Sequence, residues 1–146
     1  MNYPVERLEQ IREKIKERGH RLTPQRLAIL KILTQSEDHP SAEMIYDQIK
    51  AEYPVTSFAT VYKTIALVKE LGEALELEFS NDSNRYDGKK PYSHPHLICT
   101  ECKKIIDPVL NSVDYLQLEI ASQTGFKVVN HRLDFFGVCP ECQSIS

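Results

Sequence analysis

Two Cys-x-x-Cys pairs constrain the last third of this 146-residue chain more than any other feature. The first pair is Cys99 and Cys102, and the second is Cys139 and Cys142. Each Cys-x-x-Cys turn directs two thiolates to one point, and two such turns supply the four ligands of a tetrahedral structural zinc site. We therefore expect the two pairs to meet in space and to close a small zinc-bound domain.

A thioredoxin-like redox pair and inert buried thiols are the alternatives for these cysteines. The intervening residues 103–138 exceed the roughly 15–20 residues of a usual zinc ribbon, and we attribute the difference to an intervening helix. A redox pair is expected at the start of a helix, whereas we predict both pairs at strand ends, which favours zinc.

Composition and the N-terminal sequence limit the class of protein. Hydrophobic residues make up 41% of the chain, which is enough to bury a core. We find neither an apolar signal-peptide region nor a long apolar run, so we expect a cytoplasmic protein, where cysteines bind metals more often than they form disulfides. The net charge of -3 argues against indiscriminate coating of nucleic acid but allows a local basic face.

The first 72 residues are predicted to form four helices. Apolar residues recur there at helical spacing, as in Leu8, Ile11 and Ile15. Polar N-cap residues mark three of the helix starts, and glycine or proline marks three of the ends. The expected starts are Thr23, Ser41 and Ser57, and the expected ends are Gly19, a residue before Pro54, and Gly72.

Beyond Gly72 the apolar period changes to two. Leu75, Leu77 and Phe79 alternate with polar residues, "SNDSN" at 80–84 supplies turn chemistry, and "RYD" provides a return strand. This pattern predicts a β-hairpin. Downstream we predict strands at 96–99 and 104–107, a helix over 113–124 and a final strand over 126–138.

The order of these elements predicts an α+β fold with two domains. Three helices, a fourth helix and a hairpin are the order of a winged helix-turn-helix. We assign residues 1–87 to this domain, 88–93 to a hinge or linker, and 94–146 to a small αβ dimerisation and metal-binding domain. A small helical core packed on a hairpin, without DNA binding, is the alternative.

A winged helix would place the fourth helix in a major groove. The residues expected to face DNA are Ser57, Phe58, Ala59, Thr60, Tyr62 and Lys63. Arg21 and Arg26, near the start of the second helix, are expected to contact phosphates.

Histidines and carboxylates form a second candidate metal site. His94 and His96 are two positions apart and share one face of an extended strand. Asp107 is expected on the adjacent strand, Asp87 ends the hairpin, and His39 precedes the third helix. Imidazole and carboxylate suit Mn(II), Fe(II) or Zn(II). Taken singly, each residue is better explained as a surface histidine or a solvated carboxylate than as a metal ligand.

Eight ordered motifs resemble the ferric-uptake-regulator family of metal-dependent repressors. The motifs are "RLTPQR", "HPSAEMIY", "ATVYKTI", "RYD", "HPHLICTEC", "TGFKV", "HRL" and "GVCPEC", and they span nearly the whole chain. The resemblance implies an N-terminal winged helix, a C-terminal dimerisation domain, structural zinc on the four cysteines, and a regulatory Fe(II) or Mn(II) near the hinge.

Within this family the chain is most similar to the peroxide-sensing branch. The resemblance implies a regulatory site at His39, Asp87, His94, His96 and Asp107. It also implies that His39 and His94 are the ligands oxidised by peroxide. Iron-sensing members usually carry Glu at the Asp107 position and the run HHDH, and here Ser93 and Pro95 replace two ligands of the additional site that this run forms. His131 is therefore expected to lack its metal partners.

The resulting hypothesis is a homodimeric, peroxide-sensing repressor that binds a palindromic DNA operator and has no membrane contact. An iron- or zinc-responsive repressor of the same family is the first alternative. A small metalloenzyme with a His and carboxylate site is the second, although no substrate pocket or general base is evident in the sequence. A zinc-ribbon interaction module is the third.

Overall fold

The computed structural model describes residues 3–79 and 82–144 and divides into two units, Met1–Tyr92 and Ser93–Ser146. The first unit therefore includes most of the segment 88–93 that we predicted as a hinge or linker. Within the described residues, no helix has both the length and the apolar character needed to span a membrane.

Four helices form most of the first unit. They are α1 (Tyr3–Glu17), α2 (Pro24–Gln35), α3 (Ala42–Glu52) and α4 (Phe58–Glu70). Thr23, Ser41 and Ser57 are the N-caps of α2, α3 and α4, and each side chain accepts a hydrogen bond from the backbone N–H three residues later. The three predicted caps are confirmed, because these side chains satisfy N–H groups that have no partner within the helix.

The apolar stripes of the four helices meet in one core. α1 contributes Ile11 and Ile15, and α4 contributes Val61, Ile65 and Val68, all of them almost completely buried. This packing leaves the opposite face of α4 exposed, as helical periodicity requires.

A hairpin follows α4 and completes the first unit. Its strands are β1 (Leu75–Leu77) and β2 (Arg85–Asp87), antiparallel, with Leu75 opposite Asp87. β1 ends before Phe79, shorter than the alternation predicted, and the N–H of Phe79 donates to the side chain of Asn84. Residues 80 and 81 of the predicted turn lie outside the described residues. Helices followed by this hairpin give the order of a winged helix-turn-helix.

The second unit is a three-stranded sheet with a crossover helix. Its elements are β3 (His96–Cys99), β4 (Ile105–Ile106), α5 (Val113–Thr124), β5 (Asp134–Gly137) and the single-turn α6 (Pro140–Gln143). The strand order is β4-β3-β5, with β3 antiparallel to β4 and parallel to β5. The α+β fold class is confirmed.

The predicted final strand over 126–138 is wrong for most of its length. Only Asp134–Gly137 form a strand, because β3 is four residues long and its pairing runs from His96 opposite Asp134 to Cys99 opposite Gly137. Phe126 and Val129, whose alternation suggested a longer strand, are 73% and 83% exposed.

Candidate metal centres and nucleic-acid interface

The four cysteines come together in the second unit. Cys99 ends β3, Cys102 lies in the turn that follows, and Cys139 and Cys142 lie at the start and within α6. All four sulfur atoms lie within 4.8 Å of one another, and the Sγ atoms of Cys102 and Cys139 are 3.8 Å apart. Four sulfur ligands 2.3 Å from one zinc ion are separated by about 3.8 Å. The geometry therefore fits a tetrahedral zinc site.

Electrostatics in this cluster also favours a cation. Backbone N–H groups of Cys102 and Cys139 lower the pKa of the Cys99 thiol to about 6. The hydrogen bond with Cys139 raises the pKa of the Cys142 thiol to about 12. Four thiols this close cannot all ionise at neutral pH without a positive charge between them, and zinc supplies that charge.

One premise of the sequence argument for zinc is wrong. Cys139 follows the end of β5 by two residues, as predicted, but it is also the N-cap of α6, so the second pair does sit at the start of a helix. This helix is a single turn. The case for a shared metal ion therefore depends on the convergence of the four sulfur atoms and not on the positions of the pairs at strand ends.

His39 and Asp87 form a buried pair in the first unit. Their side chains are 3% and 4% exposed, and His39 Nε2 lies 3.2 Å from Asp87 Oδ2. The other carboxylate oxygen, Oδ1, accepts hydrogen bonds from the N–H groups of Lys89 and Lys90 at 2.9 and 2.8 Å. These two bonds hold the carboxylate so that its second oxygen faces the imidazole.

The backbone of His39 adopts a left-handed conformation. Its φ is +51°, a region that residues with a Cβ seldom occupy. The guanidinium of Arg85 donates to the carbonyl oxygens of His39 and Asp38. Our sequence analysis missed this role of Arg85. Its position two residues before Asp87, on the same face of one strand, is the signal that could have revealed it.

His94, His96 and Asp107 come together in the second unit. The rings of His94 and His96 have centroids 4.4 Å apart, as the shared strand face predicted. His94 Nε2 lies 3.4 Å from Asp107 Oδ2, and His96 Nε2 lies 3.8 Å from Asp107 Oδ1. Asp107 directly follows β4, the strand paired with β3, so the sheet explains the approach.

Asp134 orients His96 and was missed by the sequence argument. His96 Nδ1 lies 3.3 Å from Asp134 Oδ1, and Arg132 Nε donates to Asp134 Oδ2 at 2.8 Å. A carboxylate on one ring nitrogen fixes the tautomer and leaves the other nitrogen for a metal. Only the parallel register that places Asp134 opposite His96 reveals this contact.

The His39–Asp87 pair and the cluster of His94, His96 and Asp107 both offer donor atoms that suit a divalent metal ion. Neutral imidazole and carboxylate are ligands of Mn(II), Fe(II) and Zn(II). The distances from these imidazoles to the carboxylates of Asp87 and Asp107, 3.2 to 3.8 Å, exceed the roughly 2.7–2.9 Å of a charge-assisted hydrogen bond. The shorter of them approach the roughly 3 Å that separates adjacent ligand atoms around an octahedral metal ion with 2.1 Å metal–ligand bonds. His131, in contrast, shares a 2.8 Å contact between its Nδ1 and the side-chain nitrogen of Gln117.

The predicted DNA-facing residues lie on the exposed side of α4 and beside it. Ser57, Phe58, Ala59, Tyr62 and Lys63 are exposed, and Thr60 is half-buried. Arg21 is exposed and Arg26 half-buried at the start of α2, and both line one shallow polar pocket with Ser57 and Thr60. Phe58 packs edge-on against Tyr46 of α3, with ring centroids 5.7 Å apart, which fixes one end of this face.

An exposed apolar face lies in the second unit. No residue of α5 is buried, and Tyr115, Leu116, Leu118 and Ile120 are all exposed. Phe135 and Phe136 of β5 are exposed as well. So many large apolar side chains on a small unit are typical of a protein–protein interface.

The sequence profile of the ferric uptake regulator family matches residues 17–136. The chain is also 38% identical, over 139 residues, to the peroxide-responsive repressor PerR of Staphylococcus aureus strain USA300. The match covers 93% of this chain and 91% of that repressor.

Solved structures give the same result. The Helicobacter pylori ferric uptake regulator Fur, described as having three functional metal-binding sites, has a TM-score of 0.84 and 30% identity over 96% of this chain and 93% of that one. A Campylobacter jejuni peroxide stress regulator has a TM-score of 0.69 and 30% identity over 92% and 98% of the two chains. These relatives are metal-sensing transcriptional regulators, not enzymes, and the predicted resemblance to the peroxide-sensing branch is confirmed.

Proposed function

Because the chain belongs to the ferric uptake regulator family, whose members bind DNA and act as dimers, we propose that it is a repressor that releases DNA when peroxide oxidises a ligand of its regulatory metal. The main supporting observation is that each unit holds a His and Asp group, buried at His39 and Asp87 and partly buried at His94 and Asp107. A repressor acts where the chromosome is, so we place it in the bacterial cytoplasm.

The regulatory metal is proposed to be Fe(II) or Mn(II), held by His39 and Asp87 of the first unit together with His94, His96 and Asp107 of the second. Binding by residues of both units would select one arrangement of the units. By linkage, the metal then favours DNA binding only to the extent that it prefers the DNA-binding arrangement. The segment 88–93 is proposed as the hinge.

Sensing is proposed to occur at His39 and His94. Fe(II) held by these residues would catalyse oxidation by hydrogen peroxide and would be Fe(II) again at the end. In the net reaction the imidazole is oxidised by two electrons: one peroxide oxygen replaces the hydrogen on a ring carbon, and the other leaves with that hydrogen as water. An oxidised ring is a poorer ligand, so the affinity of the protein for the metal falls. Mn(II) does not reduce peroxide readily, so the Mn(II) form should stay bound to DNA in the presence of peroxide.

The four cysteines are proposed to hold a structural zinc ion. Zinc would protect the thiolates from oxidation. It would also link the end of β3 to α6 and so stabilise the second unit. The convergence of the sulfur atoms supports this role.

Dimerisation is proposed to use the exposed apolar face of α5 and β5. A two-fold dimer presents two copies of α4, and these must lie roughly 34–36 Å apart to enter successive major grooves. We therefore propose a palindromic operator. Ser57, Ala59, Thr60, Tyr62 and Lys63 would approach its bases, and Arg21 and Arg26 its phosphates.

DNA affinity with each metal tests the proposal. The operator is first selected from random duplex DNA with the Mn(II)-loaded protein, and all affinities are measured at one salt concentration, since phosphate contacts make them salt-dependent. Peroxide should release the Fe(II) form from this operator and leave the Mn(II) form bound. Mass spectrometry should show one added oxygen on peptides containing His39 or His94.

His39→Ala and His20→Ala form a matched pair of variants. His39 is buried beside Asp87, whereas His20 is exposed in the same unit. His39→Ala should lose metal-dependent DNA binding, and His20→Ala should behave as wild type. If DNA affinity follows the Fe(II) concentration but ignores peroxide, the protein is an iron-responsive repressor and the peroxide proposal is wrong.

A further inference from the structure

Strand β2 presents two functional groups to the loop that precedes α3. Arg85 and Asp87 are two positions apart and so share one face of the strand. Tyr86, between them, is buried, and its hydroxyl donates to Glu76 Oε2 at 3.1 Å. A β-bridge between Arg85 and Ser41, and a bond from the N–H of Tyr86 to the carbonyl of Pro40 at 2.9 Å, join the strand to the loop.

Arg85 binds two consecutive carbonyl groups of this loop. Its Nη2 donates to the carbonyl oxygen of Asp38 at 2.7 Å, and its Nε donates to that of His39. A planar guanidinium can bridge two acceptors with fixed geometry, whereas the ammonium of lysine is a point charge on a flexible stem. The contact is therefore specific to arginine.

These carbonyl groups flank the left-handed backbone of His39. A residue with φ of +51° needs surroundings that maintain it, because ordinary backbone regions are lower in energy. Relaxation of this φ would turn the Cα–Cβ bond and move the imidazole away from Asp87 Oδ2, now 3.2 Å from Nε2.

We propose that Arg85 is a positioning residue for the regulatory metal. It holds the His39 peptide in its left-handed conformation, so that imidazole and Asp87 carboxylate face each other before metal arrives. Arg85 thereby sets both the metal affinity and the share of peroxide damage that falls on His39. This inference rests on the proposed function, because it assumes that His39 and Asp87 are ligands.

The first test is Mn(II) affinity without DNA, which removes any contribution of Arg85 to DNA binding. Arg85→Gln and Arg85→Lys are compared with wild type by competition with a metal-binding dye. Loss of a group that orients a ligand typically weakens binding by 10–100-fold, so we expect Arg85→Gln to bind about tenfold or more weakly. Arg85→Lys should be nearly as weak. Arg12→Gln, which removes an exposed guanidinium from α1, should match wild type.

The second test separates positioning from general loosening of the fold. Fe(II)-loaded proteins are treated with peroxide, and oxidation of the His39 and His94 peptides is quantified by mass spectrometry. Arg85→Gln should lower the ratio of His39 to His94 oxidation several-fold. Zinc content and the urea midpoint report whether the variant is folded.

The outcomes distinguish the inference from the proposed function. Wild-type Mn(II) affinity or an unchanged His39 to His94 ratio in Arg85→Gln overturns the inference alone. If the wild-type protein binds no Mn(II) beyond its zinc site, or shows no histidine oxidation, the proposed function fails whatever the variants do.

Discussion

Glu73→Gln should destabilise the first unit through a buried ion pair. Arg7 Nη1 of α1 lies 2.8 Å from Glu73 Oε2, and these side chains are only 8% and 11% exposed. Lys14 also contacts the Glu73 carboxylate. The remaining Arg7 donors bind carbonyl oxygens of Glu73 and Gly88 at 2.7 to 3.0 Å.

The magnitude follows from this burial. Removing one partner of a buried ion pair costs roughly 3–5 kcal/mol, because the other charge remains in a poorly solvated site. Glutamine keeps the shape and can still accept one N–H, and Arg7 keeps its carbonyl partners, so we expect a loss of about 2–3 kcal/mol, below that range or at its lower end. The exposed pair of Arg12 and Glu9, with side chains 40% and 55% accessible, provides the control. Arg12→Gln should cost about 0–0.5 kcal/mol.

Urea unfolding followed by helical circular dichroism is the assay, because α1 to α4 provide most of the helix. Zinc is kept in slight excess so that the second unit is unchanged. Glu73→Gln should lower the midpoint with the m-value unchanged. A loss for Glu73→Gln no larger than that for Arg12→Gln would refute this reasoning.

The contacts of Glu73, Asp134 and Cys142 lead to three further predictions. Burial alone would raise the pKa of Glu73, but hydrogen bonds from Lys14 and Arg7 outweigh it and hold the pKa below 4.5. The stability that this carboxylate contributes is therefore full above that pH and lost as the pH falls through its folded value, so urea midpoints of wild type and Glu73→Gln should converge in acid. Asp134→Asn should weaken Mn(II) binding at least tenfold, measured by dye competition, because His96 loses the partner that orients its ring. Cys142→Ser should lower zinc content and the melting temperature, measured by metal analysis and calorimetry, since three thiolates hold zinc less tightly than four.

Local chemistry explains why most of the fold could be predicted. The N-caps of α2, α3 and α4 act within three residues, and a Ser or Thr before an apolar helical run therefore marks a helix start wherever it lies in the fold. The cysteine pairs were equally informative, since two Cys-x-x-Cys turns supply the four thiolates of one tetrahedral zinc site. The candidate metal ligands depended on the family resemblance, because His39 and Asp87 are far apart in the sequence and each alone resembles an ordinary residue.

Other features depend on tertiary contacts that no local pattern contains. The shortness of β5 is set by the length of β3, and the apolar alternation over 126–133 does not report whether a partner strand exists. The contact of Asp134 with His96 requires the register of a parallel pair. Likewise, a left-handed His39 has no sequence signature, because the conformation is maintained by Arg85 from another element.

The position of Asp87 explains how this proposed metal ligand is coupled to the whole first unit. Arg85, two residues before it, binds the loop that carries His39. Gly88, directly after it, accepts two hydrogen bonds from Arg7 and packs so closely on α2 that an added Cβ would lie 2.7 Å from the carbonyl oxygen of Leu33. Asp87 is thus fixed on both sides to the helical core. A displacement of this carboxylate would therefore move the first unit, which we propose binds DNA, as a rigid body. A regulator needs such coupling if it is to change DNA affinity without unfolding its proposed recognition helix, α4.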